Sequence, residues 1–329
     1  MSEVAELPSG SPAKSTEQRM FDLFAAYGMV VVLVLVLVIA FSLNQNFFSF
    51  GNVRNIFAQN AAVGMVAIGA TFVIIGGGFD LSAGAMYALG AVVYAKLATM
   101  GIPVLPSMLL ALMVGCLLGL ANGVLINFLN VNPLVATLGS ASMITGLAFI
   151  ISDSAPIMAR SVEGFDTLGR DRLFDITYSV YLLIATFLVM SFVLHKTTWG
   201  RCVYAIGGNR EAAYLAGMRT TAISVSTYVL SGFFSVLGGI LIASRTNVGQ
   251  ANLAGDVSLN AIAIVIIGGT TLFGGEGALW RTLIGLLILA TLRNVFDTLS
   301  LSNASQLFAQ GAILVIAVAM DAYVRSRRS

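Results

Sequence analysis

The stretch MFDLFAAYGMVVVLVLVLVIAFS, residues 20–42, decides the class of this protein. It carries a single charge, Asp22, over a length that matches the ~20 apolar residues needed to cross ~30 Å of hydrocarbon. Comparable runs follow near 53–76, 81–99, 105–128, 133–153, 176–195, 221–244, 258–273, 281–300 and 303–324. The composition agrees: 58% of residues are apolar and 10% charged, with a mean hydropathy of +0.93, where soluble domains carry roughly 25% charge. These runs predict an all-α, polytopic membrane protein with about ten transmembrane helices. The eighth run is short and ends in glycines, so nine or eleven spans would also fit.

Charge placement orients the chain, because Lys and Arg concentrate on the cytoplasmic side of short loops. Lys14 and Arg19 precede the first run, Lys196, Arg201, Arg210 and Arg219 occupy the central loop, and Arg325, Arg327 and Arg328 follow the last. Six and then four spans separate these three regions, so all three can be cytoplasmic, termini included. The expected organisation is a disordered tail over 1–19, a membrane domain over 20–324 with a cytoplasmic loop near 196–220, and a basic tail over 325–329. The loop 154–175 mixes Arg160, Arg170 and Arg172 with Glu163, Asp166, Asp171 and Asp175, which suits the exported side.

Several chemistries are left without support. A net charge of +2 gives no reason to expect a nucleic-acid partner. Cys116 and Cys202 imply no disulfide framework, and a lone His195 without a cysteine cluster predicts no metal site. No nucleophile–base pair is recognisable, so nothing points to an enzyme or to a cofactor held by this chain. The three lysines, Lys14, Lys96 and Lys196, all lack a preceding glycine. A Walker A loop is therefore absent.

Polar residues inside so apolar a chain are the candidate sites. In the central loop, Asn209 can N-cap a short helix, Glu211 suits its first turn, and Gly217 can close it. Ala212, Ala213, Leu215 and Ala216 would lie along that helix, with Arg210 and Arg219 at its ends, in a form that could dock into another protein or simply connect two spans. Asp80, with Gly77, Gly78 and Ser82 around it, is expected at the cytoplasmic rim, where it could N-cap the third span or contribute to a gate. Asn60, Asn122 and Asn260 each need a partner helix or a wet path, since an unpaired amide in lipid is costly. The stripe Ala111, Gly115, Gly119, Gly123 allows close helix packing. VIIGGGFDLSAGA at 73–85 and VIIGGTTLFGGEGA at 265–278 share a core, and both would close a span on the same side.

Glu211-Ala212-Ala213-x-x-x-Gly217 resembles the EAA loop of bacterial ABC importer permeases, the element that couples to the ATPase. GGNREAAYLAGM at 207–218 and GGGFDLSAGAM at 76–86 resemble the permeases of ribose-type monosaccharide importers, in the branched-chain amino acid/ribose permease superfamily. Phe79 stands where isoleucine is usual in that family. IGGTTLFGGEGAL at 267–279 and the apolar layout match as well, so the resemblance runs from about residue 20 to the end. It implies a permease in the bacterial inner membrane, surrounded by lipid and paired with a second permease copy. A separate ATPase binding ATP and Mg, and a periplasmic sugar-binding protein, would complete the importer. Asn209, Arg210, Glu211, Ala212, Ala213, Leu215 and Gly217 would face the ATPase, while Gly77, Gly78, Asp80, Ser82, Asn60, Asn122 and Asn260 would serve gate or pathway. An ion-coupled secondary transporter would share the spans and the glycine breaks but not the EAA-like loop.

Overall fold

A computed structural model describes residues 16–326; residues 1–15 of the expected N-terminal tail and 327–329 of the basic tail, Lys14, Arg327 and Arg328 among them, lie outside it. Each expected run carries a helix: α1 (Thr16–Leu43), α2 (Phe50–Ile75), α3 (Ala83–Thr99), α4 (Val104–Phe128), α5 (Pro133–Ile151), α7 (Tyr178–Lys196), α10 (Thr220–Thr246), α11 (Val257–Ile267), α12 (Leu279–Thr298) and α13 (Asn303–Ser326). Short helices fill the two long connections: α6 (Thr167–Arg170) in one, α8 (Thr198–Gly208) and α9 (Arg210–Leu215) in the other. Four two-residue strands, β1 (Ile157–Met158), β2 (Arg172–Leu173), β3 (Ile176–Thr177) and β4 (Val248–Gly249), pair β1 with β4 and β2 with β3, both antiparallel. Among the described residues, six helices are long and apolar enough to cross a membrane: α2, α4, α5, α7, α10 and α12. The protein is an all-α, multi-pass membrane protein.

The core is built by α2, α3, α4 and α10, and glycine makes it possible. A Cβ on Gly119 would stand 2.2 Å from the Tyr228 carbonyl oxygen of α10, and one on Gly232 would stand 2.1 Å from the Gly115 oxygen of α4. The small-residue stripe of α4 is therefore a seam inside one subunit, where backbones meet because no side chain intervenes. Outward faces of α1, α4, α5 and α7 stay apolar and uncovered, with Leu188, Phe192, Val135 and Ile150 all prominent. A bilayer is the solvent such faces require.

One of the expected spans, α11, is too short to cross. At 1.5 Å per residue α11 covers only about 16 Å, roughly half the hydrocarbon thickness. It stops at Ile267, well before residue 273, because Gly268 and Gly269 end it. Its Ser258 hydroxyl donates to the Leu81 carbonyl (2.8 Å) and accepts from the Gly84 N–H (2.7 Å). The N-terminus of α11 thus meets the N-terminus of α3 inside the bundle, and each helix runs from there to an opposite end.

The echo between residues 73–85 and 265–278 is a shared way of ending a helix. On α2, Gly77 N–H reaches Ile74 O and Gly78 N–H reaches Val73 O (both 2.9 Å); on α11, Gly269 N–H reaches Ile266 O and Thr270 N–H reaches Val265 O. Gly77 and Gly269 hold φ of +77° and +85°. Both are Schellman closures, which satisfy orphan carbonyls through a left-handed glycine.

Replacing Gly119 with valine should drive a side chain into the α10 backbone and cost at least ~1–3 kcal/mol. Gly311→Val, where an added Cβ meets nothing within 4 Å, should stay within about 0.5 kcal/mol of the parent. Thermal unfolding of the two purified variants in detergent checks the difference.

Candidate functional site: a buried carboxylate node and the loop beneath it

Asp80 is buried inside the bundle, not at its rim. Its Oδ2 accepts from Ser231 Oγ (2.6 Å), and Ser231 lies 11 residues, about 16 Å, into α10 from Thr220. Its Oδ1 accepts from the Ser82 N–H (3.0 Å) and the Ser82 hydroxyl, which in turn accepts from Asn122 Nδ2 (2.8 Å) on α4. The expected rim position is thereby corrected. Residues 76–82 turn back into the bundle after α2 ends, so α3 begins deeper inside than the end of α4 or the start of α10.

Nor is Asp80 the N-cap residue of α3; Ser82 occupies that position, without a side-chain cap bond of its own. The carboxylate instead accepts the N–H of the cap residue and sits at the positive end of the helix dipole, which favours negative charge there. With Ser82, Ser231 and Asn122 the node ties three helices and the re-entrant loop together. Tyr228 closes the arrangement by donating to the Phe79 carbonyl (3.3 Å).

Of the residues expected at a gate or pathway, Gly77, Gly78, Asp80, Ser82 and Asn122 are brought together here. Asn60 is not: it lies about four turns back along α2, buried, its amide donating within the helix to Ile56 O (2.8 Å). Asn260 is half-buried on α11, two residues after Ser258 and so on a different face of the helix. Ser231 escaped sequence reading because α10 holds several serines that look alike, and Ser258 because a single serine at the start of an apolar helix gives no sign of a partner.

Below the node, the central loop forms two helices. Asn209 caps α9 through a bond from the Ala212 N–H (2.9 Å), and Gly217 closes it at φ +81°. Ala213 faces inward and is buried, whereas Glu211, Ala212, Tyr214 and Leu215 face out, the last two 69% and 78% exposed. Tyr214 was not among the expected contact residues, although its aromatic ring in a polar loop was the available signal. Arg210 Nη2 donates to Asn127 Oδ1 (2.9 Å) at the end of α4.

The loop meets the membrane helices through glycine. An added Cβ on Gly207 would stand 1.8 Å from Ile75 O and 2.6 Å from Gly275 N; one on Gly274 would stand 2.8 Å from both Gly207 O and Gly77 Cα. Gly275 N–H donates to Ile75 O (2.9 Å), and Tyr204 Oη donates to Gly277 O (2.7 Å). The end of α8, the end of α2 and the 274–277 segment before α12 thus share one joint, where backbone meets backbone at Gly207, Gly274 and Gly275. Among the described residues no three His, Cys, Asp or Glu side chains could share a metal ion.

Residues 52–318 match the family described as branched-chain amino acid transport system / permease component. The chain is 36% identical over 310 residues to the ribose import permease protein RbsC of Bacillus subtilis (strain 168), covering 93% of this chain and 96% of that one. It is 35% identical over 332 residues to the L-arabinose transport system permease protein AraH of Escherichia coli (strain K12), covering 98% of each. It is 33% identical over 309 residues to the L-arabinose ABC transporter permease protein AraH of Azospirillum brasilense, covering 94% and 91%. No solved structure matches it.

Asp80→Ala should strand the Ser231 and Ser82 hydroxyls and lower stability by roughly 1–3 kcal/mol, while Asp80→Asn, which keeps an acceptor, should cost less. Thermal unfolding in detergent ranks the two; equal losses would mean the hydrogen bonds do not hold the node.

Proposed function

This chain belongs to the branched-chain amino acid transport system permease family, and from that premise we propose that it is the membrane subunit of an ATP-driven monosaccharide importer. The observation that carries the reading is likeness along almost the whole chain to permeases for two sugars, ribose and arabinose. Nothing in the relatives favours ion-coupled transport.

We place the 196–220 loop in the cytoplasm, on the strength of its Lys196, Arg201, Arg210 and Arg219, with the termini on the same side of a bacterial inner membrane. ATP and Mg would bind a separate ATPase, and a periplasmic sugar-binding protein would deliver cargo from the other side. The exposed face of α9 is the handle for the ATPase. Tyr214 and Leu215 would fill a groove on it, with Glu211 and Ala212 beside them and Asn209 and Gly217 fixing the ends of the helix. Arg210 and Ala213 act from the inner side, holding α9 to the bundle.

Motion of that handle would reach the membrane through the glycine joint. Gly207 and Gly208 press on the end of α2 and on Gly274 and Gly275, so α9 cannot shift without moving the re-entrant loop or the start of α12. The Asp80 node, on the far side of the same loop, would be the gate element that two nucleotide states bias differently. A second copy would complete the pathway. The open face of α5, where Gly139 and Gly146 meet nothing within 4 Å, supports close approach of another helix.

Leu215→Asp should leave the protein folded and inserted but reduce recovery of the ATPase on co-purification at least tenfold, with ATP-driven sugar uptake falling in parallel. Unchanged co-purification would remove α9 from the contact. Asp80→Asn should slow uptake without altering which sugars compete; a changed sugar preference at full rate would make the carboxylate a cargo contact instead of a gate element.

A further inference from the structure

At the end of the bundle opposite the 207–217 loop, a hairpin presents an aromatic side chain in an uncommon backbone conformation. Strands β2 and β3 are joined by Phe174 and Asp175 alone, at φ +49° and +65°. Two left-handed residues are what a two-residue hairpin turn requires, and Asn or Gly normally supplies the first. A bulky residue there is a strained choice. The ring gains nothing within the subunit for that strain, since Phe174 is 85% exposed.

The turn is nevertheless held firmly. Arg54 Nη1 of α2 donates to the Asp175 carbonyl (3.0 Å) and to its Oδ1 (3.4 Å), and Tyr181 Oη of α7 donates to the Leu173 carbonyl (2.9 Å). The same Arg54 guanidinium lies 6.0 Å from the centre of the Phe50 ring. Phe50 and Phe48 are also exposed, and Phe48 packs on Phe41 of α1 at 5.7 Å. An aromatic band therefore runs from the uncovered apolar face of α1, across the start of α2, to the hairpin before α7, whose own outer face carries Ile184, Leu188 and Phe192. Charged Arg170 and Asp171 sit immediately before the hairpin and Arg172 opens it, all three exposed.

We propose that the Arg172–Thr177 hairpin is a membrane-interface anchor that seats Phe174 and Leu173 at the headgroup–acyl boundary of the leaflet farther from the 207–217 loop. The occupant is phospholipid because the band is continuous with the uncovered apolar faces of α1 and α7, and because the hairpin stands at the edge of the bundle, beside α2 and α7, and not over its α3–α10 centre. Aromatic rings at such boundaries fix the depth and tilt of neighbouring helices. Arg54 and Tyr181 are the residues that position this one. Anchoring of this kind requires only that the chain spans a membrane, so it stands or falls separately from the transport reading.

The test is site-directed spin labelling in phospholipid nanodiscs, in a Cys116→Ser, Cys202→Ser background, with Phe174→Cys and Asp171→Cys labelled in turn. The label at 174 should relax several-fold more readily with oxygen, which concentrates in the acyl region, than with a water-soluble nickel complex, and the label at 171 should show the reverse. Nickel preference at 174 would overturn the anchor. Nickel preference that disappears when the soluble binding protein is added would also overturn it, and make the hairpin a protein-docking knob. If the cysteine-free background does not fold, Phe174→Trp in the native chain answers the same question. The added emission should be quenched by lipids brominated high on the acyl chain; quenching by aqueous acrylamide alone would contradict the proposal.

Discussion

The last carbonyl of α2, on Ile75, is the point on which this structure turns. A helix end inside a membrane protein must find donors for its final carbonyls, because no bulk water is there to supply them. Here the donor is Gly275 N–H, from the segment before α12, and Gly207 of the central loop lies against the same oxygen. Three segments distant in sequence converge where a single methyl group would not fit. Glycine at 207, 274 and 275 is thus a packing requirement, and it leaves the central loop in direct backbone contact with two helix ends.

Above that joint the bundle holds two helices that do not start at its surface. α3 and α11 both begin inside, their N-termini joined through Ser258. A polar interruption at this depth is costly unless every group is paired, and the node is paired: the Asp80 carboxylate takes Ser231, Ser82 and the dipole of α3, and Asn122 completes the set. The same bonds that make the break tolerable bind it to α4 and α10. An arrangement held by a few directional bonds can have a second position, whereas the glycine-packed α4–α10 seam beside it cannot readily be deformed. In the proposed importer, the first would be the moving part and the second the frame.

Much of the helix layout was legible in the sequence, because hydrocarbon thickness sets a length that an apolar run must meet. The α4 stripe was legible for a similar reason: small residues at helical spacing have few uses other than close packing. Asn209 and Gly217 announced the ends of α9 through cap chemistry. What could not be read was depth. Nothing in GGGFDLS tells whether the chain leaves the bundle or folds back into it; that depends on Ser231 and Tyr228, some 150 residues away. The same blindness made α11 look like a span. The depth of its start is set by contacts to Leu81, in the re-entrant loop, and Gly84 on α3, and its end by two glycines that also read as part of the run. Ala213 was expected on the outer face with its neighbours, yet one turn of helix cannot be phased without knowing what lies beneath it.

Uptake into proteoliposomes tests the proposed importer most directly. This chain would be reconstituted alone and then with its co-purified ATPase and sugar-binding protein, and accumulation of a labelled monosaccharide followed with and without ATP. Accumulation that requires all three components and ATP, and that persists when ion gradients are collapsed, is the predicted result. Accumulation by the chain alone, driven by an ion gradient and indifferent to ATP, would contradict it.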